Sequence, residues 1–227
     1  MSDPTGSKSV VPVIAIDGPS ASGKGTVAQR VAAQLGWHYL DSGALYRVVA
    51  HKATTAGIPL NADTLLANLA RGMDLRFIGA QVWLDGTDVS EQIRTELAGA
   101  GASKVAALPA VRAALLDRQR DFRHGPGLVA DGRDMGSVVF PDAAVKIYLT
   151  ASAEARAERR YKQLIEKGNS ANLPGLLQGL QERDRRDISR VAAPLTHTGD
   201  AHALDTTAMT VDEAVAAVVA YYRDAVQ

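Results

Sequence analysis

The chain has 227 residues, contains no cysteine and carries a formal net charge of zero, with 25 basic and 25 acidic residues. The lack of cysteine excludes disulfides and thiol catalysis, and the balanced charge provides no overall basic field that would favour nucleic acid or an anionic membrane. No apolar stretch approaches the roughly 18 residues needed to cross a bilayer, and residues 1–9 are polar, so we expect a disordered lead and a cytoplasmic protein.

The first predicted strand is an apolar run over Val10–Ile16 that leads into a glycine-rich turn. Gly18 and Gly23 bracket four residues and Lys24 follows, which is the G-x4-G-K pattern of a P-loop. Glycines let the main chain bend so that successive N–H groups point at phosphate oxygens, and the lysine reaches the outer phosphates. The turn therefore predicts a nucleoside triphosphate site. Its expected binding residues are Gly18, Pro19, Ser20, Ala21, Ser22, Gly23, Lys24, Gly25 and Thr26.

The position after Lys24 departs from the full P-loop pattern. Gly25 stands there, and the hydroxyl follows one residue later at Thr26. A hydroxyl that could bind a metal directly is thus missing from its usual place. We expect Mg²⁺ to be held through phosphates and water near Thr26 and Asp131, with no direct protein ligand.

Further short apolar runs predict a parallel sheet that alternates with helices. The predicted strands are Trp37–Leu40, Gly127–Ala130, Val145–Leu149 and Ala203–Leu204. Apolar residues at helical spacing predict a helix over Lys24–Leu35, and a capping box of Thr210 and Glu213 begins the last one. The pattern predicts an α/β fold of the P-loop NTPase type, with a parallel sheet flanked by helices.

The segment between Ile58 and Arg123 is too long for a simple crossover helix. Leu75–Gly79 and Val82–Gly86 read as short antiparallel strands with turns, followed by helical segments. We therefore expect an inserted subdomain.

Polar motifs follow two of the predicted strands. Asp131-Gly132-Arg133-Asp134 should lie at the sheet edge beside the P-loop, where Asp131 could order a metal-bound water or the P-loop and Arg133 could bind phosphate. The alternative is a polar turn with a mutual Arg–Asp contact. Asp41-Ser42-Gly43 with Arg47 could bind a second anion, and a plain helix N-cap at Asp41 or Ser42 is compatible with that role.

The stretch from Ala155 to Arg190 is rich in charge and carries a net charge of +4, nine basic against five acidic residues. Residues 168–175 divide it into two helical arms. It is either a solvated face or a lid whose arginines close over phosphates. Arg183, Asp187 and Arg190 share one helix face, an arrangement that suits a ribose hydroxyl beside phosphates and equally an i,i+4 ion pair.

Four of these blocks together resemble the bacterial cytidylate kinase family of nucleoside monophosphate kinases. They are GPSASGKGT at 18–26, LDSGALYR at 40–47, ADGRDMGSVVFPDA at 130–143 and ERDRRDISRVAAPL at 182–195. The resemblance implies a P-loop core at 10–41, 104–150 and 191–227, a monophosphate-binding subdomain at 42–103 and a helical lid at 151–190. It also implies transfer of the ATP γ-phosphoryl group to CMP and dCMP with Mg²⁺, giving the nucleoside diphosphate and ADP in pyrimidine nucleotide metabolism.

The resemblance also implies a role for each matching residue. Ser42 and Arg47, with Arg133 alongside, would meet the CMP phosphate. Ser103, Arg112 and Asp134 would read cytosine, and Arg183, Asp187 and Arg190 would face ribose and phosphates. Lys24, Arg133 and Asp131 would be catalytic, with lid arginines Arg156, Arg159 and Arg160 contacting ATP. We expect a monomer acting on small-molecule nucleotides, without nucleic acid or membrane partners.

The chemistry of the bases agrees with a cytosine site. Cytosine has an N4 amino donor beside N3 and O2 acceptors, which a carboxylate with an arginine complements. Uracil would set a carbonyl against Asp134, at a cost of about 1–3 kcal/mol for each buried unsatisfied group. Two alternatives stay open at this point. The chain could be a kinase for another acceptor, such as UMP or a small metabolite, or it could be a P-loop GTPase switch. The sequence contains no N-K-x-D segment that would read guanine, which counts against the GTPase.

Overall fold

The computed structural model describes residues 10–79 and 81–227, so the predicted disordered lead at 1–9 lies outside the described residues. The strands are β1 (Val13–Asp17), β2 (His38–Asp41), β3 (Leu75–Ile78), β4 (Gln81–Leu84), β5 (Thr87–Asp88), β6 (Leu128–Gly132), β7 (Val145–Thr150) and β8 (His202–Asp205). The helices are α1 (Lys24–Leu35), α2 (Ser42–Thr55), α3 (Asp63–Gly72), α4 (Glu96–Val105), α5 (Pro109–Arg120), α6 (Ala153–Glu166), α7 (Leu173–Ser189) and α8 (Val211–Ala225).

Five parallel strands form the central sheet in the order β2-β6-β1-β7-β8. Strands β1 and β6 are buried along their whole length, as expected for a parallel sheet covered on both faces. The register pairs Asp41 with Asp131 and Asp17 with Gly132, so the carboxyl ends of β2, β6 and β1 lie side by side. The predicted P-loop and both polar strand-end motifs therefore meet at one edge. The α/β fold class predicted from the sequence is confirmed.

Alternation along β1 divides the apolar core into two layers. Ile14 and Ile16 pack with α1 and α8 on one face of the sheet, while Val13 and Ala15 pack with α2, α3 and α5 on the other. The second layer continues to Val82 of the small antiparallel sheet β3-β4-β5. This shared core fixes the insertion against the central sheet. The domain boundaries given above stay a prediction.

Several local predictions are confirmed. Helix α1 has the predicted ends, strands β3 and β4 pair antiparallel, and Thr210 with Glu213 forms a complete capping box at α8. The expected break between the two helical arms is shorter than predicted, because α7 already begins at Leu173. The Asn172 side chain accepts a hydrogen bond from the Gly175 amide and starts the helix there. Among the described residues, no helix is long and apolar enough to cross a membrane.

Candidate active site

A cleft of about 1110 Å³ opens at the carboxyl edge of the central sheet, between the P-loop, α2, α4 and the helices α6 and α7. Its volume exceeds the 300–1,000 Å³ typical of a site for one small ligand. All predicted site residues line this cleft except Gly18, Pro19 and Arg156. The cleft therefore gathers residues from six separated segments of the chain, which lie within 20–29, 39–47, 94–112, 131–134, 159–190 and 206–214.

The P-loop takes its shape from close contacts of the main chain. A Cβ at Gly18 would lie 1.9 Å from the carbonyl oxygen of Leu149, so only glycine lets the loop approach β7. Gly23 has a φ of +92° and precedes α1, where the left-handed region favours glycine. Ala21 has a φ of +58°, a strained conformation for a residue with a Cβ. The loop ends at the amino terminus of α1, where exposed amides favour an anion.

Lys24 lies inside the loop with its side chain buried. Its Nζ donates a hydrogen bond to the Pro19 carbonyl at 3.2 Å and lies 3.8 Å from Asp131 Oδ1. Burial, and the neighbouring Arg133 guanidinium, lower the pKa of Lys24. A buried ammonium group of this kind gains stability when the negative charge of phosphate arrives beside it.

Asp131 ends β6 and is buried next to Lys24. Its Oδ2 accepts a hydrogen bond from the Tyr39 hydroxyl at 3.2 Å, and its main-chain oxygen accepts one from Ser42 Oγ at 2.8 Å. Burial raises the pKa of the Asp131 carboxyl, and Lys24 acts in the opposite direction. Since Asp131 lies beside Lys24 Nζ, its carboxylate can hold the lysine in place.

Arg133 connects the P-loop with the second lid helix. Its Nη2 donates to Ser20 Oγ at 2.8 Å, and its Nε donates to Asp187 Oδ2 at 2.9 Å. Burial lowers the pKa of Arg133, but the carboxylates of Asp187, Asp131 and Asp17 together outweigh burial and raise the pKa. The predicted alternative, a turn in which Arg133 pairs with Asp134, is wrong, because each of these side chains pairs with another element.

At the other end of the cleft, the buried Asp134 pairs with the partly buried Arg112 of α5. The Arg112 guanidinium lies 5.8 Å above the ring of Tyr46, a cation–π contact that fixes its plane. Ser103 Oγ accepts a hydrogen bond from Arg186 Nε at 3.3 Å. This end of the cleft therefore combines the Asp134 carboxylate, the Arg112 guanidinium and the Ser103 hydroxyl. These groups can form hydrogen bonds with the edge of a planar polar ring.

Three arginines of the cleft have hydrogen-bonding capacity that the protein leaves unused. Among the residues that the structure describes, three cleft arginines have a buried guanidinium nitrogen without a hydrogen bond: Arg47 Nε, Arg183 Nε and Arg190 Nη2. Burial, together with Arg133, lowers the pKa of Arg183 to about 10. Buried donors are costly unless paired. An anionic ligand in the cleft would satisfy them.

The three predicted ATP-contacting arginines have different surroundings. Arg156 lies beneath the loop and donates to Ala151 O, Ser20 O and Asp184, so its guanidinium points away from the cleft. Arg159 donates to the Ser22 carbonyl at 3.1 Å and to Thr206. Arg160 pairs with Glu96 of α4 and so links the first lid helix to the insertion. Arg159 and Arg160 line the cleft, and Arg156 supports its floor.

Known proteins resemble this chain in sequence and in fold. The family model of cytidylate kinase matches residues 14–224. The chain belongs to the cytidylate kinase family. It is 59% identical to the cytidylate kinase of Chromobacterium violaceum, covering 94% of this chain and 96% of the relative, and 56% identical to that of Bordetella bronchiseptica, covering 96% and 97%. A solved structure of an uncharacterized protein from Eubacterium ventriosum shares the fold, with a TM-score of 0.50 and 13% identity over 93% of this chain and 98% of that one.

Membership of the cytidylate kinase family makes the chain a nucleoside monophosphate kinase, a phosphotransferase. The alternatives left open by the residues, a kinase for another acceptor and a GTPase switch, are not favoured. Among the described residues no group of three or more His, Cys, Asp or Glu side chains could hold a metal ion. The exposed hydroxyl of Thr26 faces the same cleft as Asp131.

The sequence analysis missed several polar residues that line this cytidylate kinase cleft or bond to the segments that form it. They are Asp17, Tyr39, Arg186 and Thr206. Asp17 ends β1 as Asp131 ends β6, so its position at a strand end was an available signal. No such signal existed for Tyr39, because an aromatic residue in a strand usually packs in the core.

Proposed function

We propose that this chain transfers the γ-phosphoryl group of ATP to CMP and dCMP, giving ADP and CDP or dCDP, in pyrimidine nucleotide metabolism in the cytoplasm. One observation supports this most. A single cleft has Lys24 and Asp131 at one end and the Arg112–Asp134 pair at the other, and it is also lined by arginines with buried nitrogens that make no hydrogen bond. We also propose that the chain is a monomer and that it consists of the predicted P-loop core, monophosphate-binding subdomain and lid.

ATP would occupy the P-loop end. The loop amides and Lys24 would bind its outer phosphates, with the cleft-lining Arg159 and Arg160 covering them from α6. Mg²⁺ fits this end as a companion of the phosphates, because Thr26 offers a hydroxyl oxygen and Asp131 can bind its water. When bound, the ion neutralises phosphate charge. Arg156 would serve this end indirectly, by supporting the Ser20 carbonyl.

The monophosphate acceptor would occupy the opposite end. Asp134 would accept a hydrogen bond from the cytosine amino group while Arg112 and Ser103 contact the ring acceptors. Arg183 and Arg190 would bind the acceptor phosphate with Arg47 and Ser42, which would give a hydrogen bond to the buried guanidinium nitrogens that have none. Asp187 would accept from a ribose hydroxyl. This orientation sets the acceptor phosphate toward Lys24.

The transfer itself needs positioning and charge neutralisation more than a protein nucleophile. An oxygen of the acceptor phosphate attacks the γ-phosphorus, and the bond to the bridging oxygen of ADP breaks. Arg133 contacts both the P-loop and the lid, so it is placed to stabilise the transferring group. Closure of α6 and α7 over the cleft would exclude water and limit wasteful hydrolysis.

The proposal is tested by measuring ADP release from Mg²⁺-ATP with CMP, dCMP, UMP or AMP as acceptor. We expect turnover with CMP and dCMP, at least about tenfold lower kcat/KM with UMP, and little ADP release without an acceptor. Replacing ATP with GTP is the control for the donor site. Equal turnover with UMP would indicate a broader acceptor, and GTP hydrolysis without acceptor phosphorylation would contradict the proposal.

A further inference from the structure

The side chain of Tyr39 reaches the active site from β2, the edge strand next to β6. Its hydroxyl donates to Asp131 Oδ2 at 3.2 Å, while Asp131 Oδ1 faces Lys24 Nζ at 3.8 Å. The two carboxylate oxygens therefore have separate partners. The Ser42 hydroxyl bonds to the main-chain oxygen of Asp131 and leaves the orientation of the carboxylate to these other groups.

The space for this pair exists because the residue after Lys24 is glycine. A Cβ at Gly25 would lie 3.1 Å from Asp131 Oδ2 and 3.6 Å from the Tyr39 hydroxyl. The first distance is tighter than nine in ten real Cβ contacts, so a serine or threonine there would push the carboxylate aside by a few tenths of an ångström. A full P-loop carries a serine or threonine hydroxyl at the position of Gly25. In this chain the hydroxyl near that position belongs to Tyr39, and it acts through Asp131.

Resting on the function proposed above, we propose that Tyr39 is a positioning residue that holds the Asp131 carboxylate in a fixed orientation beneath the P-loop, in the space left by Gly25.

Several features make Tyr39 suited to that role. Its ring packs against the apolar cluster of α1 and α8, so the hydroxyl is carried on a rigid support. Burial and the carboxylates of Asp131 and Asp41 raise the pKa of Tyr39, so the phenol stays protonated and remains a donor. The charged groups around Asp131 are Lys24, Asp41 and Arg133. Loss of the tyrosine donor would leave Asp131 Oδ2 beside the like charge of Asp41.

The direct test is Tyr39→Phe, which removes the hydroxyl and keeps the ring. Losing one hydrogen bond to a buried carboxylate should lower kcat by about 3- to 10-fold and leave KM for CMP within about twofold. It should also move the acidic limb of the kcat–pH profile upward by about half a unit or more, because a donor that favours the charged form is gone. Tyr222→Phe is the matched control, since that ring packs on Trp37 away from the cleft.

A readout that needs no substrate separates this proposal from the proposed function. NMR of the ¹³C-labelled Asp131 carboxyl in the ligand-free protein, assigned with Asp131→Asn, should titrate at higher pH in Tyr39→Phe than in the wild type. Gly25→Ala should perturb the same signal, and the effects of the two changes should be non-additive. An unchanged carboxyl titration, or a loss of kcat that only follows a lower Tm, would overturn the positioning role even if CMP is phosphorylated.

Discussion

Arg133 Nε donates a hydrogen bond to Asp187 Oδ2 at 2.9 Å and thereby joins the end of β6 to the lid helix α7. The same guanidinium reaches the P-loop through Ser20 Oγ at 2.8 Å. One cation thus contacts both the P-loop and the lid. Burial alone would raise the pKa of Asp187, but Arg133, Arg183 and Arg190 together hold it below its ordinary value, so the carboxylate stays charged.

Asp187→Asn tests the ribose contact proposed for this carboxylate. A charged hydrogen bond to the 2′-hydroxyl exists only with CMP, so we expect kcat/KM for CMP to fall about tenfold more than that for dCMP. Steady-state rates with both acceptors measure the ratio. Asp200→Asn, at an exposed pair with Lys146, is the control. Equal losses with both acceptors would mean that Asp187 acts only through Arg133.

Lys24→Met should remove phosphate neutralisation while keeping the fold. We expect kcat to fall by about 100-fold or more, as when a main charge-stabilising donor is lost. The Tm should stay near that of the wild type, because methionine avoids the desolvation cost of the buried ammonium and this gain offsets the loss of the charge partner of Asp131. Rates and thermal unfolding are compared with Lys52→Met, which removes a lysine that pairs with Asp85 outside the cleft. Turnover near that of the wild type would contradict the role of Lys24.

Asp134→Asn should relax the choice of base. The asparagine amide can donate to the uracil carbonyl, whereas the carboxylate can only accept. We expect the ratio of kcat/KM for CMP over UMP to fall by about tenfold or more. The control is Asp142→Asn, since Asp142 pairs with Arg123 at the surface and should leave the ratio unchanged. A preserved ratio with both rates reduced would assign Asp134 a purely structural role.

Asp17 should make stability depend on pH in a specific window. Its two carboxylate oxygens accept from the Met135 and Gly136 amides at 2.8 Å, yet burial raises its pKa to about 7. Between about pH 4 and 7 the folded state holds a proton that the unfolded state has released, so the free energy of unfolding should fall as pH rises. The slope contributed by one such group is at most about 1.4 kcal/mol per pH unit.

Urea unfolding of the wild type and Asp17→Asn at pH 5 and 7.5 isolates this contribution, because the other titrating groups are common to both proteins. The stability of the wild type relative to the variant should decrease at the higher pH. Parallel pH dependences would show that the two amides keep Asp17 ionised throughout the window.

The local pattern of this chain predicts much of the fold. The P-loop glycines, the helix over Lys24–Leu35 and the capping box at Thr210 depend on neighbouring residues, and all three formed as predicted. The start of α7 was misplaced because Asn172 caps a helix that begins inside a stretch rich in turn-forming residues. The capping hydrogen bond is a local interaction, but packing decides which of several polar residues in the stretch forms it.

The sequence did not predict which charged side chains pair with each other. Arg133 and Asp134 are neighbours along the chain, yet they pair with Asp187 and Arg112 on different helices. Which of the lid arginines lines the cleft was equally open, since Arg156 and Arg159 lie one turn apart on α6 but face different surroundings. Such choices depend on desolvation and on the distance between elements that approach each other only after folding.

The sequence by itself determined the α/β class, the phosphate-binding loop and the clustering of polar residues at one edge of the sheet. These features follow from the spacing of apolar residues and from the conformational freedom of glycine, and both are local properties of the chain. Only the tertiary structure decided that Tyr39 reaches Asp131 across the β2–β6 register and that Gly25 leaves room for both. The physical reason is that a contact between strands distant in sequence exists only once the sheet has set their register.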